Sequence, residues 1–262
     1  MAKTIVANWK MNKTNAEAKA FFAEFEKLYT RTGDTVAFCA PFTVLPTVVA
    51  ACKKNKWVAG AQNFHPAKNG AYTGEISADM LHDVGAHAVI IGHSERRAMF
   101  GESDAFVNEK VRAALGGGLV AIMCIGETRA QREGGKTNAV LKKQLIGGLK
   151  GVAFGDGGVT QLREGTRSAQ GSACPCNLIV AYEPVWAIGT GLTATVEQIR
   201  ETHAYIRGVL GKLFPQPVPI LYGGSVNDKN AREIFAVANV DGALVGGAAL
   251  DPAKFIQIVN FR

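Results

Sequence analysis

Short apolar runs recur along the chain at Ile5–Asn8, Thr35–Ala40, Trp57–Gln62, Ala88–Gly92, Val120–Gly126, Leu178–Glu183, Ile220–Gly223 and Gly242–Gly246. Most are continuously apolar rather than alternating, the pattern of strands buried on both faces of a parallel sheet. Helical patterns fill the intervals. Thr14 and Glu17 form a capping box, followed by Phe21, Phe25 and Leu28 at helical spacing. Thr195 and Gln198 repeat the box ahead of Ile199, Ile206 and Leu210, and Asp251 with Pro252 opens a last short helix. Eight strand-then-helix units in about 250 residues predict an α/β chain closed into a (β/α)8 barrel, a single domain over residues 1–262. The alternative is an open doubly wound sheet. That fold favours a glycine-rich turn after its first strand, and here Asn8-Trp9-Lys10-Met11-Asn12 follows with no glycine.

One interval is too long, Arg129 to Asn177 between the fifth strand and the sixth. Lys136 to Lys150 can supply a helix, and Gly147 to Gly171 then holds eight glycines and few large apolar residues. This reads as a Gly-rich insertion between the fifth helix and the sixth strand, spanning approximately 147–176. A helix-to-strand connection belongs at the N-terminal face of a barrel, opposite the loops that build active sites.

Composition narrows the class. At 47% hydrophobic the chain can bury a substantial core. No apolar run approaches the roughly 18–20 residues that a membrane helix needs. Met1 to Lys10 has too short an apolar core for a signal peptide. The five cysteines, Cys39, Cys52, Cys124, Cys174 and Cys176, are an odd number, so reduced thiols in a cytoplasmic protein are expected. The net charge is +7, yet basic residues run no longer than pairs such as Lys53-Lys54, Arg96-Arg97 and Lys142-Lys143. With no aromatic interleaving, a solvated surface is expected rather than a nucleic-acid or membrane partner.

Chemistry in a barrel sits at the strand ends. Asn8 and Lys10 end the first strand; Lys10 reads either as a surface lysine or as a charge offered to an anionic substrate. His93 stands where a strand hands over to the helix Ser94-Glu95-Arg96-Arg97. Helix-end potential there disfavours the imidazolium, so His93 is either a structural histidine or a neutral hydrogen-bond donor. Glu183 ends an apolar strand and is stopped by Pro184. It is an ion-paired rim residue or a base whose pKa burial raises. Pro184-Val185-Trp186-Ala187-Ile188-Gly189-Thr190-Gly191-Leu192-Thr193-Ala194 reads as a lid or a plain connection. Gly223-Gly224-Ser225 and Gly246-Gly247 follow strands seven and eight, where barrels commonly hold phosphate on backbone N–H groups.

The segments Asn8-Trp9-Lys10-Met11-Asn12, Gly92-His93-Ser94-Glu95-Arg96-Arg97, Cys124-Ile125-Gly126-Glu127-Thr128, Ala181-Tyr182-Glu183-Pro184-Val185-Trp186, Tyr222-Gly223-Gly224-Ser225-Val226 and Leu244-Val245-Gly246-Gly247-Ala248 together resemble the triosephosphate isomerase family. The resemblance runs through the whole chain in order, apart from the insertion. It implies a TIM barrel that interconverts dihydroxyacetone phosphate and glyceraldehyde 3-phosphate without cofactor or metal. By match, Glu183 moves the proton, His93 polarises the carbonyl as a neutral ring, Lys10 stabilises negative charge and Asn8 positions the substrate. Gly189, Ser225, Gly246 and Gly247 would hold the phosphate under the closed lid. Glu95 would pair near Lys10, and Cys124 would support the base rather than attack. Gln62 to Glu75, ending Thr73-Gly74-Glu75, resembles the family's interdigitating loop and implies a homodimer.

Three features depart from the family pattern. Leu192 stands where a lysine is usual at the lid's second hinge, Ala249 replaces a common serine, and the insertion ends in Cys174-Pro175-Cys176. A Cys-x-Cys alone is a poor metal site. A sugar-phosphate epimerase is disfavoured, since such enzymes use paired acids and often a metal. A barrel kept only for binding is disfavoured by the presence of Asn8, Lys10, His93 and Glu183.

Overall fold

The structure, a computed structural model, describes residues 2–153, 177–188 and 193–262. The apolar runs become strands β1 (Thr4–Asn8), β2 (Thr35–Ala40), β3 (Val58–Ala61), β4 (Ala88–Ile91), β5 (Val120–Ile125), β6 (Leu178–Tyr182), β7 (Ile220–Tyr222) and β8 (Gly242–Val245). They pair in sequence order, all parallel, and β8 returns to β1, so the sheet closes. Closure leaves no edge with unpaired backbone groups. Alternate residues then divide between two packed layers. Val6, Ala37, Ile90, Ile122, Ile179, Leu221 and Leu244 fill the barrel interior. Ile5, Ala7, Val89, Ile91, Val180 and Ala243 face the helices outside.

The helices are α1 (Asn15–Leu28), α2 (Leu45–Asn55), α3 (Ala78–Val84), α4 (Ser94–Met99), α5 (Asp104–Gly116), α6 (Arg129–Glu133), α7 (Thr137–Gly148), α8 (Val196–Leu213), α9 (Ala231–Ala236) and α10 (Pro252–Val259). Both expected capping boxes form. The Thr14 and Thr195 hydroxyls accept from the N–H groups of Glu17 and Gln198, whose side chains reach back to the caps. Asp251 caps α10 ahead of Pro252. The apolar face of α1 buries Phe21, Phe22 and Phe25 against Trp9, Phe38 and Trp57. Phe25 is fully buried at the centre of this cluster. Truncating a phenylalanine so placed to alanine costs about 3–5 kcal/mol.

Six strands stop one residue earlier than their apolar patterns do, so Gln62, Gly92, Gly126, Glu183, Gly223 and Gly246 fall just outside the sheet. Those residues face the C-terminal mouth, where the chain must leave the ladder. Gly92 does so with φ of 65°, a left-handed value that favours glycine. The expected insertion begins later than 147, because α7 continues through Gly148. Residues 154–176, with Cys174 and Cys176, lie outside the described residues. Opposite the mouth, the Asp34 carboxylate accepts from the Lys3 N–H at 2.7 Å and from the Arg262 guanidinium through both oxygens. Among the described residues no helix is long and apolar enough to cross a membrane.

Candidate active site

The end of β1 supplies Asn8 and Lys10. The Asn8 side chain accepts the Lys10 N–H at 3.1 Å. Lys10 has φ of 51°, a sparsely populated region for a residue with a Cβ, costing on the order of 1–3 kcal/mol. The surroundings hold it there. Gln62 donates its amide to the carbonyls of both Lys10 and Cys39, each at 3.0 Å. Trp9, fully buried, donates its indole N–H to the Ala249 carbonyl at 3.0 Å. Lys10 Nζ is thereby carried over the mouth, 2.6 Å from Glu95 Oε1, the pairing that the sequence leads one to expect.

His93 and Glu183 end neighbouring parts of the rim and meet. Glu183 Oε1 lies 2.9 Å from His93 Nε2, and Glu183 Oε2 accepts the Ser94 N–H at 3.0 Å. On the far side of the ring, His93 Nδ1 accepts the Glu95 N–H at 3.3 Å. That acceptance assigns the ring proton to Nε2, the nitrogen facing Glu183. Both side chains are buried. Read singly, burial should raise the glutamate pKa and the helix end should favour the neutral ring. The pair reverses both directions. Burial pushes Glu183 up, but the His93 imidazole and the Ser94 N–H hold it below the ordinary carboxylate range. Burial pushes His93 down, but the Glu183 carboxylate brings its pKa above the ordinary imidazole value. In each case the other partner is the largest counterweight to burial, so a ligand inserted between them weakens both shifts.

Glycine clears room for this contact. A methyl group on Gly126 would stand 1.8 Å from the Glu183 carbonyl oxygen. Gly246 lies against Lys10, whose Cε would be 3.4 Å from a Cβ there. Asn8, Lys10, His93, Glu183, Ser225, Gly246 and Gly247 line one cavity of about 350 Å³. The sequence-predicted catalytic and phosphate residues are therefore brought together, except Gly189, which lies outside the described residues with Thr190, Gly191 and Leu192. Glu95 lies beside this cavity on Lys10. Cys124 is buried beside Glu183, and burial together with the Glu183 carboxylate pushes its thiol pKa well up. Both causes disfavour the thiolate that a nucleophilic cysteine needs. Thr73, Gly74 and Glu75 are exposed and line neither this cavity nor its neighbour.

The described part of the lid stretch is anchored at its root. Behind Pro184, a short helical turn spans Val185–Ala187. The Trp186 indole donates to Glu127 Oε1 at 3.0 Å, Tyr182 donates its hydroxyl to the same oxygen at 3.1 Å, and Arg132 Nη1 lies 2.9 Å away. The Arg132 guanidinium also stacks on Trp186. From the opposite side, Ser225 Oγ donates to the Ala187 carbonyl at 2.8 Å. Glu127 is fully buried and had no assigned role in the sequence. Its signal was present: a carboxylate just beyond an apolar strand, the same cue that marks Glu183.

A closed (β/α)8 barrel whose C-terminal mouth sets a buried carboxylate on a histidine, beside a lysine and glycine-flanked loops, defines a barrel enzyme equipped for proton transfer on an anionic substrate. The triosephosphate isomerase family model matches residues 3–262. A triosephosphate isomerase of Citrifermentans bemidjiense is 47% identical, covering 100% of this chain and 99% of the relative. One of Syntrophotalea carbinolica is 43% identical, covering 98% and 97%. A crystal structure of the Bartonella henselae triosephosphate isomerase superimposes with a TM-score of 0.83 at 36% identity, covering 100% of this chain and 99% of that one. The chain belongs to the triosephosphate isomerase family.

Proposed function

We propose that this chain interconverts dihydroxyacetone phosphate and glyceraldehyde 3-phosphate, with Glu183 as the base. The contact of 2.9 Å between Glu183 and His93 carries the reading. A substrate carbon with an acidic proton, placed between the two, meets a carboxylate on one side and an N–H donor on the other. Glu183 takes the proton from the carbon beside the carbonyl. His93 Nε2–H donates to the carbonyl oxygen as negative charge develops, and Lys10 Nζ adds a positive charge close by. The enediolate's hydroxyl proton passes to the former carbonyl oxygen by way of His93 Nε2, and the neighbouring carbon recovers the proton held on Glu183, which leaves both side chains as they began. Backbone N–H groups at Ser225, Gly246 and Gly247 hold the phosphate, with Gly189 joining from the lid, and Asn8, which lines the cavity beside Lys10, positions the substrate. A glutamate base opposite a neutral histidine is the chemistry that the family resemblance implies. A lid over this mouth shields the enediolate from water.

The test is a coupled assay of purified protein with glyceraldehyde 3-phosphate, run beside Glu183→Gln. Turnover by the wild type that vanishes in the variant supports the reading. A folded, inactive wild type overturns it, and a barrel retained for binding then takes its place.

We also propose that the barrel, as one catalytic domain, works in the cytoplasm as a homodimer. Met11 and Met99 are 95% and 75% exposed, far more than apolar side chains in a finished surface require. They flank a second cavity, of about 650 Å³, lined also by Asn8, Lys10, Gln62, His93 and Glu95. The loop ending in Thr73-Gly74-Glu75 is braced for insertion into such a socket: the His65 ring packs tilted against Tyr72, centroids 4.0 Å apart, and its backbone N–H donates to the Ile76 carbonyl. Sedimentation equilibrium should give twice the chain mass, and Thr73→Arg should give monomers of low activity. A wild-type monomer with full activity counts against the dimer.

A further inference from the structure

Beyond Ile91 and Met123 the β4–β5 ladder stops. Yet the two carbonyls that follow, at Gly92 and Cys124, must still be held, because His93 and the seat of Glu183 lie directly beyond them. Gly92 leaves the ladder at φ of 65°. The Arg97 guanidinium fills the gap. Its Nε donates to the Gly92 carbonyl at 2.8 Å and its Nη2 to the Cys124 carbonyl at 3.2 Å. Its Nη1 is held by the Asp104 carboxylate at 2.6 Å, in the first turn of α5. A Cβ on Gly92 would come within 3.2 Å of Arg97 Nη2 and 2.7 Å of a Val107 methyl, so the glycine leaves room for this approach.

Gly92 is covalently joined to His93. Cys124 precedes Ile125, whose carbonyl accepts the Glu183 N–H at 2.7 Å, and its thiol lies against the Glu183 carboxylate. Arg97 therefore ties the strand end that carries His93 to the strand that seats Glu183. We propose that Arg97 is a positioning residue for the proton transfer: it replaces the missing ladder bonds and fixes the separation of His93 from Glu183. A lysine cannot do this, because one ammonium on a flexible stem does not span three acceptors that a planar fork reaches together.

The inference rests on Glu183 and His93 acting as base and donor. Arg97→Lys, which keeps the charge beside Asp104, is compared with the wild type in the coupled assay. The expected result is kcat lowered about 10- to 100-fold, with KM and inhibition by inorganic phosphate changed by less than about twofold. In the folded variant the His93 Nε2–H resonance should also shift. Should Arg97→Lys fail to fold, Asp104→Asn carries the test. It frees the guanidinium from its anchor and should lower kcat about threefold to tenfold at unchanged KM. Wild-type kcat in whichever variant folds, or a loss matched by a rise in KM, overturns the inference. An inactive wild type instead overturns the isomerase reading on which it stands.

Discussion

A methyl group on Gly223 would stand 2.9 Å from Glu183 Cγ and 3.1 Å from the Tyr182 carbonyl oxygen. The orientation of the Glu183 side chain thus depends on the residue beyond β7 having no side chain. A displaced carboxylate loses alignment with the carbon it must reach, and misplacement by about 1 Å costs on the order of 100-fold. Gly223→Ala should lower kcat about 10- to 100-fold while the protein stays folded. Steady-state kinetics beside a thermal melt decide it; wild-type kcat would mean that Glu183 does not depend on this clearance.

Shortening Glu183 tests the same geometry from within. Glu183→Asp withdraws the carboxylate by one methylene, away from both His93 and the substrate carbon. Turnover should fall about 100-fold or more, with KM little changed, since no binding contact is removed. A variant that turns over like the wild type would exclude Glu183 as the base.

Glu127 gathers three donors on one buried oxygen at the root of the lid. Removing the carboxylate in Glu127→Ala takes from the Arg132 charge its buried partner and from Tyr182 and Trp186 a shared acceptor. Stability should drop by about 3–5 kcal/mol. Urea unfolding measures the loss, and a change under about 1 kcal/mol would make the cluster an ordinary surface pair.

His203 predicts an acid sensitivity. It is fully buried, its Nδ1 lies 3.0 Å from the Asn239 carbonyl oxygen, and its Nε2 has no partner among the described residues. Burial lowers its pKa from 6.5 to about 4. Between those values the unfolded chain binds a proton that the folded chain refuses, so stability rises with pH across that window. A contribution on the order of 3 kcal/mol, whole above pH of about 6.5, is lost as pH falls toward 4. Urea midpoints of the wild type should therefore fall more between pH of about 7 and 5 than those of His203→Gln. Parallel curves would remove His203 from the acid response.

The barrel was legible because β1 to β8 are buried on both faces, and that demand leaves a continuous apolar trace. The capping boxes at Thr14 and Thr195 are local and needed no context. Strand ends were less legible, since Gly92, Glu183 and Gly246 follow apolar runs without belonging to the ladder. The residues of the candidate site, which meet around one cavity, were legible through motifs. Their electrostatics were not, because the directions at Glu183 and His93 depend on a contact between residues 90 positions apart in the chain. Arg97 and Glu127 sat in quoted motifs, but only the fold shows which carbonyls and donors they serve.

The clamp of Asp34 on Lys3 and Arg262 puts residues near both ends of the described chain on the face away from the catalytic mouth. Tethering the protein to a support through either end would leave the substrate's route of entry open to solution. An affinity handle or fusion partner could likewise be attached on that side without crowding the chemistry.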